Sequence, residues 1–457
     1  MKKLHIRLFE GAPTIAQQTI IGLWAILLFA VVGMWGLTSA SLLSSGASNV
    51  FLSIGLLIGL LATFFALTQF MLMGRIWWIE SAFGLDRLAS YHRFNGYAAI
   101  ILILLHAPLI TASYALRSST NYFQQYIELL TDYTYVGLAG IAVVLFVGVV
   151  ASSIYIARRH LKFETWYWVH LAVYAAIVLA SLHQFAIGSS LQQSTLAYYF
   201  WLGLYLFVAL NFVIWRFGLP VFNMIRFGFT VDRVIAETPT TTSVYIRGKN
   251  LKKFKTVPGQ FVLVRFLARS FGLEEHPFSL SMTPEYSQAA ELRLTIRHVG
   301  DYTGRIAQIK AGTKVVISGP FGRFTRKVSH TKKRLYIAGG VGITPIRTMF
   351  EESVHQKVAT TLLYGNKDSS DVPLKKELDA ISTDEAKIHY VYSDETRKDA
   401  ESGRINAALI KRLVADVAER DVYVCGPPPM MASVVEDLRK LNVPTDQIHF
   451  EQFSLHA

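Results

Sequence analysis

Four histidines lie inside two long apolar stretches: His92 and His106 in YHRFNGYAAIILILLHAPL, and His170 and His183 in WVHLAVYAAIVLASLHQF. An ionisable ring in hydrocarbon is costly and serves as a ligand, a proton relay or a hydrogen-bonding contact. The spacing narrows that choice. His92 and His106 are fourteen residues apart, about 21 Å of helix rise and nearly four turns, so they stay roughly on one face. If both stretches cross a membrane in the same direction, His92 pairs with His170 at one level and His106 with His183 at another. Two bis-histidine haems, one above the other, fit this arrangement. The thirteen residues from His170 to His183 carry the second ring well off the face of the first in a straight helix. Tilt, rotamer choice or a π-bulge has to correct that offset.

The elements that must hold these rings are legible from charge and hydropathy. The chain has 457 residues, 52% of them hydrophobic. Residues 1–226 carry 12 Lys/Arg and 6 Asp/Glu, against 33 and 26 in residues 227–457. A nearly uncharged half is thus joined to an ordinary water-facing half. Six stretches reach the roughly 20 residues needed to cross a bilayer: residues 17–40, 50–73, 91–112, 134–157, 165–187 and 197–219. Interior Gly55, Gly59 and Pro108 are tolerated where neighbouring helices satisfy the backbone. The basic residues alternate in side. Lys2, Lys3 and Arg7 precede the first span, Arg75, Arg87 and Arg93 flank the second connection, and Arg158, Arg159 and Lys162 the fourth. Arg216 and Arg226 end the sixth span, and the opposite connections hold only Arg117. By the positive-inside rule the N-terminus and the C-terminal half are expected in the cytoplasm. The basic start precedes an apolar stretch longer than a signal-peptide core, which is expected to be retained as the first helix.

The net charge of +13 is spread over both halves rather than gathered on one aromatic-laced element, which argues against nucleic acid and for an anionic membrane surface or cofactor. Cys425 is the only cysteine, so an intrachain disulfide, a CxxC zinc site and a CxxCH haem attachment are excluded.

Beyond Phe227 the pattern turns to short alternating strands (TVDRVIAETPTTTSVYIRG, PGQFVLVRF, LRLTIRHVG), the pattern of a small antiparallel barrel. From residue 332 buried strands alternate with helical patterns, as in a parallel sheet with crossover helices. The expected domains are 1–222, a six-helix α transmembrane bundle; 226–328, an antiparallel β-barrel; and 332–457, an α/β parallel-sheet domain. In the last, Gly339, Gly340, Gly342, Thr344 and Pro345 form a small-residue turn between strand and helix. Such a turn lets backbone N–H groups approach a pyrophosphate. A Gly-rich strand–helix turn is also an ordinary connection, and a thiol such as Cys425 is usually a buried core residue.

Taken together, these features resemble the NADPH oxidase and ferric reductase superfamily. The histidine spacing in spans three and five is the family's, and there the four histidines ligate two b-type haems. His276-Pro277-Phe278-Ser279 resembles its HPFT motif, Ile296-Arg297 with Gly300-Asp301-Tyr302-Thr303 its IR…GDWT element, and Gly319-Pro320-Phe321-Gly322 its barrel-closing turn. The resemblance implies FAD against His276, Pro277, Phe278 and Ser279. It places Arg297, Gly300, Tyr302 and Thr303 at the pyrophosphate and Phe453 beside the flavin, where a packed core aromatic is the other reading. Gly339-Gly340-Val341-Gly342-Ile343-Thr344-Pro345 resembles GGxGxTP, and Cys425-Gly426-Pro427-Pro428-Pro429-Met430 resembles CGPPxM. Tyr364-Gly365-Asn366-Lys367 resembles YGNR. These imply NADPH or NADH as donor. Lys367, Arg397 and Arg404 suit a 2′-phosphate, while Ser393-Asp394-Glu395 suits a ribose diol.

The implied activity is an NAD(P)H-dependent flavocytochrome oxidoreductase. Electrons would pass through FAD to the His92/His170 haem, then the His106/His183 haem, then an outer acceptor. Where the family's eukaryotic oxidases carry a further histidine one turn beyond the outer ligand, this chain has Ile110. That favours an Fe(III) chelate or Cu(II) over O2 as acceptor, with superoxide-forming oxidase as the alternative. A histidine-based transporter or proton pathway with a redox-sensing soluble module is the reading of another class. No calcium-binding loop precedes the first span, no motif points to a protein partner, and a prokaryotic plasma (inner) membrane is the expected location.

Overall fold

The computed structural model describes residues 14–154, 161, 163–272, 274–328 and 331–450. These form two compact units, residues 14–79 with 88–214 and residues 80–87 with 215–450. Lys2, Lys3, Arg7, Arg158, Arg159, Lys162 and Phe453 lie outside the described residues.

The first unit is helical. Among the described residues, six helices are long and apolar enough to cross a membrane: Ile15–Ser44, Ala47–Met73, Leu85–Ser118, Val136–Ser153, Thr165–Ile187 and Thr195–Phe227. The first starts at a capping box, with Thr14 Oγ1 accepting from the Gln17 N–H and Gln17 Oε1 from the Thr14 N–H. The third begins six residues before the expected start and ends six after the expected end. Its flanks LDRLAS and SYALRS extend the helix although they are not apolar enough to count as membrane span. The fourth stops at Ser153, short of the expected residue 157. A further amphipathic helix, Tyr122–Asp132, occupies the connection between spans three and four, where no element was expected.

Two seams hold these helices. Ala142, Phe146 and Ala176 are buried among spans three, four and five, where small side chains let backbones approach. Val31, Phe64, Leu67, Trp201 and Val208 join spans one, two and six. Two polar side chains in the bundle find carbonyl partners: Trp35 Nε1 donates to Ser53 O at 2.8 Å and Asn95 Nδ2 to Phe65 O at 2.8 Å. Outward-facing Phe29, Ile101 and Val144 are exposed, as expected where lipid is the solvent.

The second unit contains both sheets. Strands β1 (Thr230–Thr238), β2 (Thr241–Arg247), β3 (Phe261–Phe266), β4 (His276–Met282), β5 (Leu292–Arg297) and β6 (Val315–Phe321) are ordered β1-β2-β5-β4-β3-β6, all antiparallel. A bridge from Thr230 to Lys314 brings the two ends of the sheet together, and Val231 N–H donates to Thr313 O at 2.9 Å. Strands β7 (Arg334–Gly339), β8 (Thr360–Asn366), β9 (Ala386–Tyr392), β10 (Glu401–Ser402), β11 (Asp421–Cys425) and β12 (Ile448–Phe450) form the parallel sheet, ordered β10-β9-β8-β7-β11-β12. Strand order reverses between β7 and β11, and ligands of open α/β sheets bind at such a switch point.

The two sheets meet through buried charge. Arg293 of β5 is wholly buried. Its guanidinium bonds both carboxylate oxygens of Glu377, one at 2.9 Å, and also donates to Ser281 O and Tyr245 Oη. Arg347 reaches the same Glu377 at 3.3 Å and pairs with Glu351 at 2.5 Å. Gly259 N–H donates to Thr348 Oγ1 at 3.0 Å beside it. Removing one partner of such a network leaves a desolvated charge, at about 3 kcal/mol or more. Glu377→Gln, which keeps the shape and removes the charge, is expected to destabilise this unit by about 3 kcal/mol. Urea unfolding followed by circular dichroism in the detergent-solubilised chain measures it, and an unchanged midpoint would contradict the assignment.

Candidate redox site

The histidines meet in the expected pairs. The ring centroids of His92 and His170 are 6.1 Å apart, and those of His106 and His183 are 6.3 Å apart. A metal–imidazole bond of about 2.0–2.1 Å plus a ring radius of roughly 1.1 Å, counted on both sides, predicts about 6.3 Å for two imidazoles facing one metal. Each pair is therefore spaced so that its two rings would have room to hold one metal ion between them. The fifth span is continuous α-helix through both of its histidines, so side-chain direction and helix tilt, not a bulge, absorb the 13-residue offset.

Neighbours orient these rings. His106 Nδ1 lies 2.8 Å from Gly55 O, so Nδ1 carries the proton and the Nε2 lone pair is left available. Gly59 is required for space, because a Cβ there would stand 2.6 Å from the His106 ring. Gln69 Nε2 donates to the backbone carbonyl of His92 at 3.0 Å. Trp166 lies against His170 at 5.1 Å, and Ser153 Oγ is 3.4 Å from His170 Nδ1. The Nδ1 atoms of His92 and His183 are buried without a hydrogen-bond partner. Gly55 and Gly59 were legible only as tolerated helix glycines; their i, i+4 spacing on span two is the signal that they share one face.

In the barrel, His276 lies on Tyr302 at 3.8 Å, with Phe278 stacked on Tyr302 at 6.5 Å and an interplanar angle of 22°. Pro277 and Ser279 lie between and beyond them on β4, paired with Leu263 and Phe261. Tyr302 Oη and Arg265 Nε are buried without partners, polar atoms that suit a polar ligand such as FAD. Sequence reasoning missed Arg265, which stands alone as a cation in the apolar strand FVLVRF. Thr303 Oγ1 accepts from the N–H groups of Val299 and Gly300 at 3.0 and 3.1 Å, so its hydroxyl builds the turn in this structure. Arg297 pairs with Asp371 at 3.5 Å and lies against Gly340, in the turn that follows β7.

The Gly-rich turn and the CGPPPM loop follow β7 and β11, the strands that flank the switch point. Their glycines also serve packing. A Cβ on Gly342 would stand 2.3 Å from Cys425 O, and one on Gly339 2.3 Å from Met430 Sδ and 3.0 Å from Pro427. A Cβ on Gly426 would stand 3.2 Å from the Gly339 backbone, and Gly340 has φ +51°. Thr344 Oγ1 donates to Val341 O at 3.0 Å, and Pro345 sits in the first turn of helix Ile343–His355. Cys425 is buried. Lys367, Arg397 and Arg404 are exposed beyond the C-terminal ends of β8, β9 and β10. Arg397 is engaged by Asp399 at 2.8 Å and approaches Glu395 at 3.5 Å, so cation and carboxylates occupy the same corner.

Glu80, one of six acids in the apolar half, belongs to the same compact unit as the barrel. It is 4% exposed and accepts from Gly322 N–H at 2.8 Å, at the turn Gly319-Pro320-Phe321-Gly322. Beside it, Arg323 donates to Ala82 O at 2.6 Å. Burial pushes the Glu80 carboxyl up to about 7; the Gly322 N–H and Arg323 oppose that rise and Asp86 adds to it.

Comparison with known proteins locates three domains. Residues 58–181 match the ferric reductase like transmembrane component, residues 229–325 an FAD-binding domain, and residues 336–436 an oxidoreductase NAD-binding domain. Flavohemoprotein B of Dictyostelium discoideum is 29% identical over 49% of this chain and 58% of its own length. The flavohemoprotein of Halalkalibacterium halodurans is 28% identical over 49% of this chain and 59% of its own. The chain thus spans less than two thirds of the curated relatives it matches. Among solved structures, the FAD/NAD binding domain of nitric oxide dioxygenase from Vibrio cholerae O1 biovar El Tor aligns with 49% of this chain and 96% of its own. That alignment has 23% identity and a TM-score of 0.44.

Glu80 makes a pH prediction. Its carboxyl binds a proton more tightly in the folded chain than in the unfolded one, where it titrates near 4.5. Its contribution to stability is therefore full below about pH 4.5 and is lost as pH rises through about 7. Glu80→Gln keeps an oxygen for Gly322 and removes the titration. The wild-type melting temperature should fall relative to the variant's between about pH 5 and about pH 8, and parallel profiles would refute the assignment.

Proposed function

From the NADPH oxidase and ferric reductase architecture that these three domains make up, we propose that the chain carries electrons across a membrane. The donor is NAD(P)H at the C-terminal module on the cytoplasmic side, the carriers are FAD and two b-type haems, and the acceptor lies on the outer face. The observation that carries this reading is the pair of facing histidine couples at a separation suited to one metal each. When bound, FAD converts the two-electron hydride of NAD(P)H into the single electrons that haem iron takes.

The chain's own residues supply position and environment. His92 with His170, and His106 with His183, offer the ligating nitrogens, and Gly55 O fixes the tautomer of His106. His276, Phe278 and Tyr302 offer a flat aromatic face for an isoalloxazine, with Pro277, Ser279, Gly300, Thr303 and Arg297 around the rest of the FAD site. Gly339, Gly340, Gly342, Thr344, Pro345, Cys425, Gly426 and Pro427 offer backbone at the switch point for the dinucleotide. Lys367, Arg397 and Arg404 offer charge to its far end. General acid and nucleophilic groups have no role in this scheme.

A ferric or cupric chelate is the preferred acceptor. Ile110 packs towards Gly55, one turn beyond His106, and presents no hydrogen-bond donor to a bound dioxygen. The deciding measurement starts from the purified, flavin-loaded protein reduced anaerobically with NADPH, following the b-type haem absorbance. Rapid reoxidation by a ferric chelate with slow decay in air supports a metalloreductase. Rapid reoxidation by oxygen with superoxide in proportion makes it an oxidase, and a protein that purifies without haem favours the transporter reading.

A structural prediction accompanies it. Gly59→Val forces a methine into the His106 ring and should lower haem content from two per chain towards one, measured by pyridine haemochromogen. Two haems retained in a folded variant would exclude His106 as a ligand.

A further inference from the structure

The helix Tyr122–Asp132, between spans three and four, divides its surface into three sectors of roughly 120° each at about 100° per residue. One sector, Gln125 and Leu129, is buried against the helical unit. The second, Phe123, Tyr126, Ile127 and Leu130, follows i, i+3, i+4, i+7 spacing; Phe123 is 77% and Ile127 56% exposed. The third, Gln124, Glu128, Thr131 and Asp132, is polar, with Gln124 Nε2 donating to Glu128 Oε1 at 3.0 Å. A helix in water has no use for the second sector, and a helix inside hydrocarbon has none for the third. Only at a boundary do both find their solvent.

We propose that this helix lies in the plane of the lipid headgroups, with Phe123 and Ile127 sunk towards the acyl chains. The occupant of its apolar face is the bilayer, because the spans that precede and follow the helix also expose large apolar side chains, Leu116, Ile141 and Val144. Tyrosines gather around it, the residues that favour a membrane–water boundary: Tyr114 stacks edge-on with Tyr133 at 5.6 Å, and Tyr135 is exposed. The helix is tied to the bundle on both sides. Tyr122 Oη donates to Pro108 O at 3.4 Å, two residues from His106, and a Cβ on Gly140 would stand 2.9 Å from Leu130. Its contact with lipid thereby fixes how deep the His106/His183 level lies.

This inference rests on the membrane-embedded reading, and spin-label accessibility separates the two. Single cysteines at Phe123→Cys, Ile127→Cys, Gln124→Cys and Thr131→Cys are labelled in the full chain in lipid nanodiscs, with Val144→Cys as the span reference and wild type reporting label at buried Cys425. Labels at 123, 127 and 144 should collide mainly with oxygen, and those at 124 and 131 mainly with a water-soluble nickel chelate. If only 144 behaves as in lipid and 123 and 127 are open to the chelate, the inference falls and the membrane reading stands. If 123 and 127 are shielded from both reagents, protein covers the face and the inference falls. If 144 is also open to the chelate, both fail.

Discussion

An imidazole moved from water into hydrocarbon loses hydrogen bonds that only a protein group, a metal or a cofactor can restore. Four such rings stand in the helical unit, and what surrounds them follows from that cost. Span two brings a carbonyl at Gly55 to the His106 ring, and gives up side-chain volume at Gly59. Span five turns its two rings inward although helix periodicity places them on different faces. Even so, Nδ1 of His92 and of His183 has no hydrogen-bond partner.

The soluble unit meets the same constraint with charge. Arg293 enters the barrel core because Glu377, Ser281 and Tyr245 meet its donors there. Ser281 and Tyr245 belong to the barrel and Glu377 to helix Lys375–Ile381 of the parallel-sheet domain, so the ion network joins the two domains. Arg297, four residues further along β5, then reaches the turn at Gly340. One strand of the barrel thus anchors helix Lys375–Ile381 at Glu377, which also pairs with Arg347 of the helix after the dinucleotide turn, and touches that turn itself.

The spans, the pairing of the histidines, both sheets and the glycine turns were legible in the sequence because each rests on local information: apolar length, charge in short connections, or small residues at a fixed offset. What was missed rests on distance or on geometry. Nothing local says that Arg293 finds Glu377 eighty-four residues away, or that Glu80 accepts from Gly322. The ends of span three were misplaced because hydropathy measures solvent, whereas helix propensity continues past the last apolar residue. Gly339 and Gly342 were read as approaches to a ligand, and each also fits against the neighbouring loop at Cys425 or Met430, a second requirement that only the folded chain displays. Helix Tyr122–Asp132 escaped notice because a boundary element shows neither a long apolar run nor a clean two-sided pattern.

The closeness of Gly59 to the His106 ring has a consequence for inheritance. The ring cannot swing aside to admit a side chain at 59, because its Nδ1 is held by Gly55 O. Descendants of this chain that keep imidazole at 106 are therefore bound to keep glycine at 59, while those that lose the imidazole are released from it. The dependence runs one way, so the two positions should drift apart in a fixed order, the ring first and the glycine afterwards.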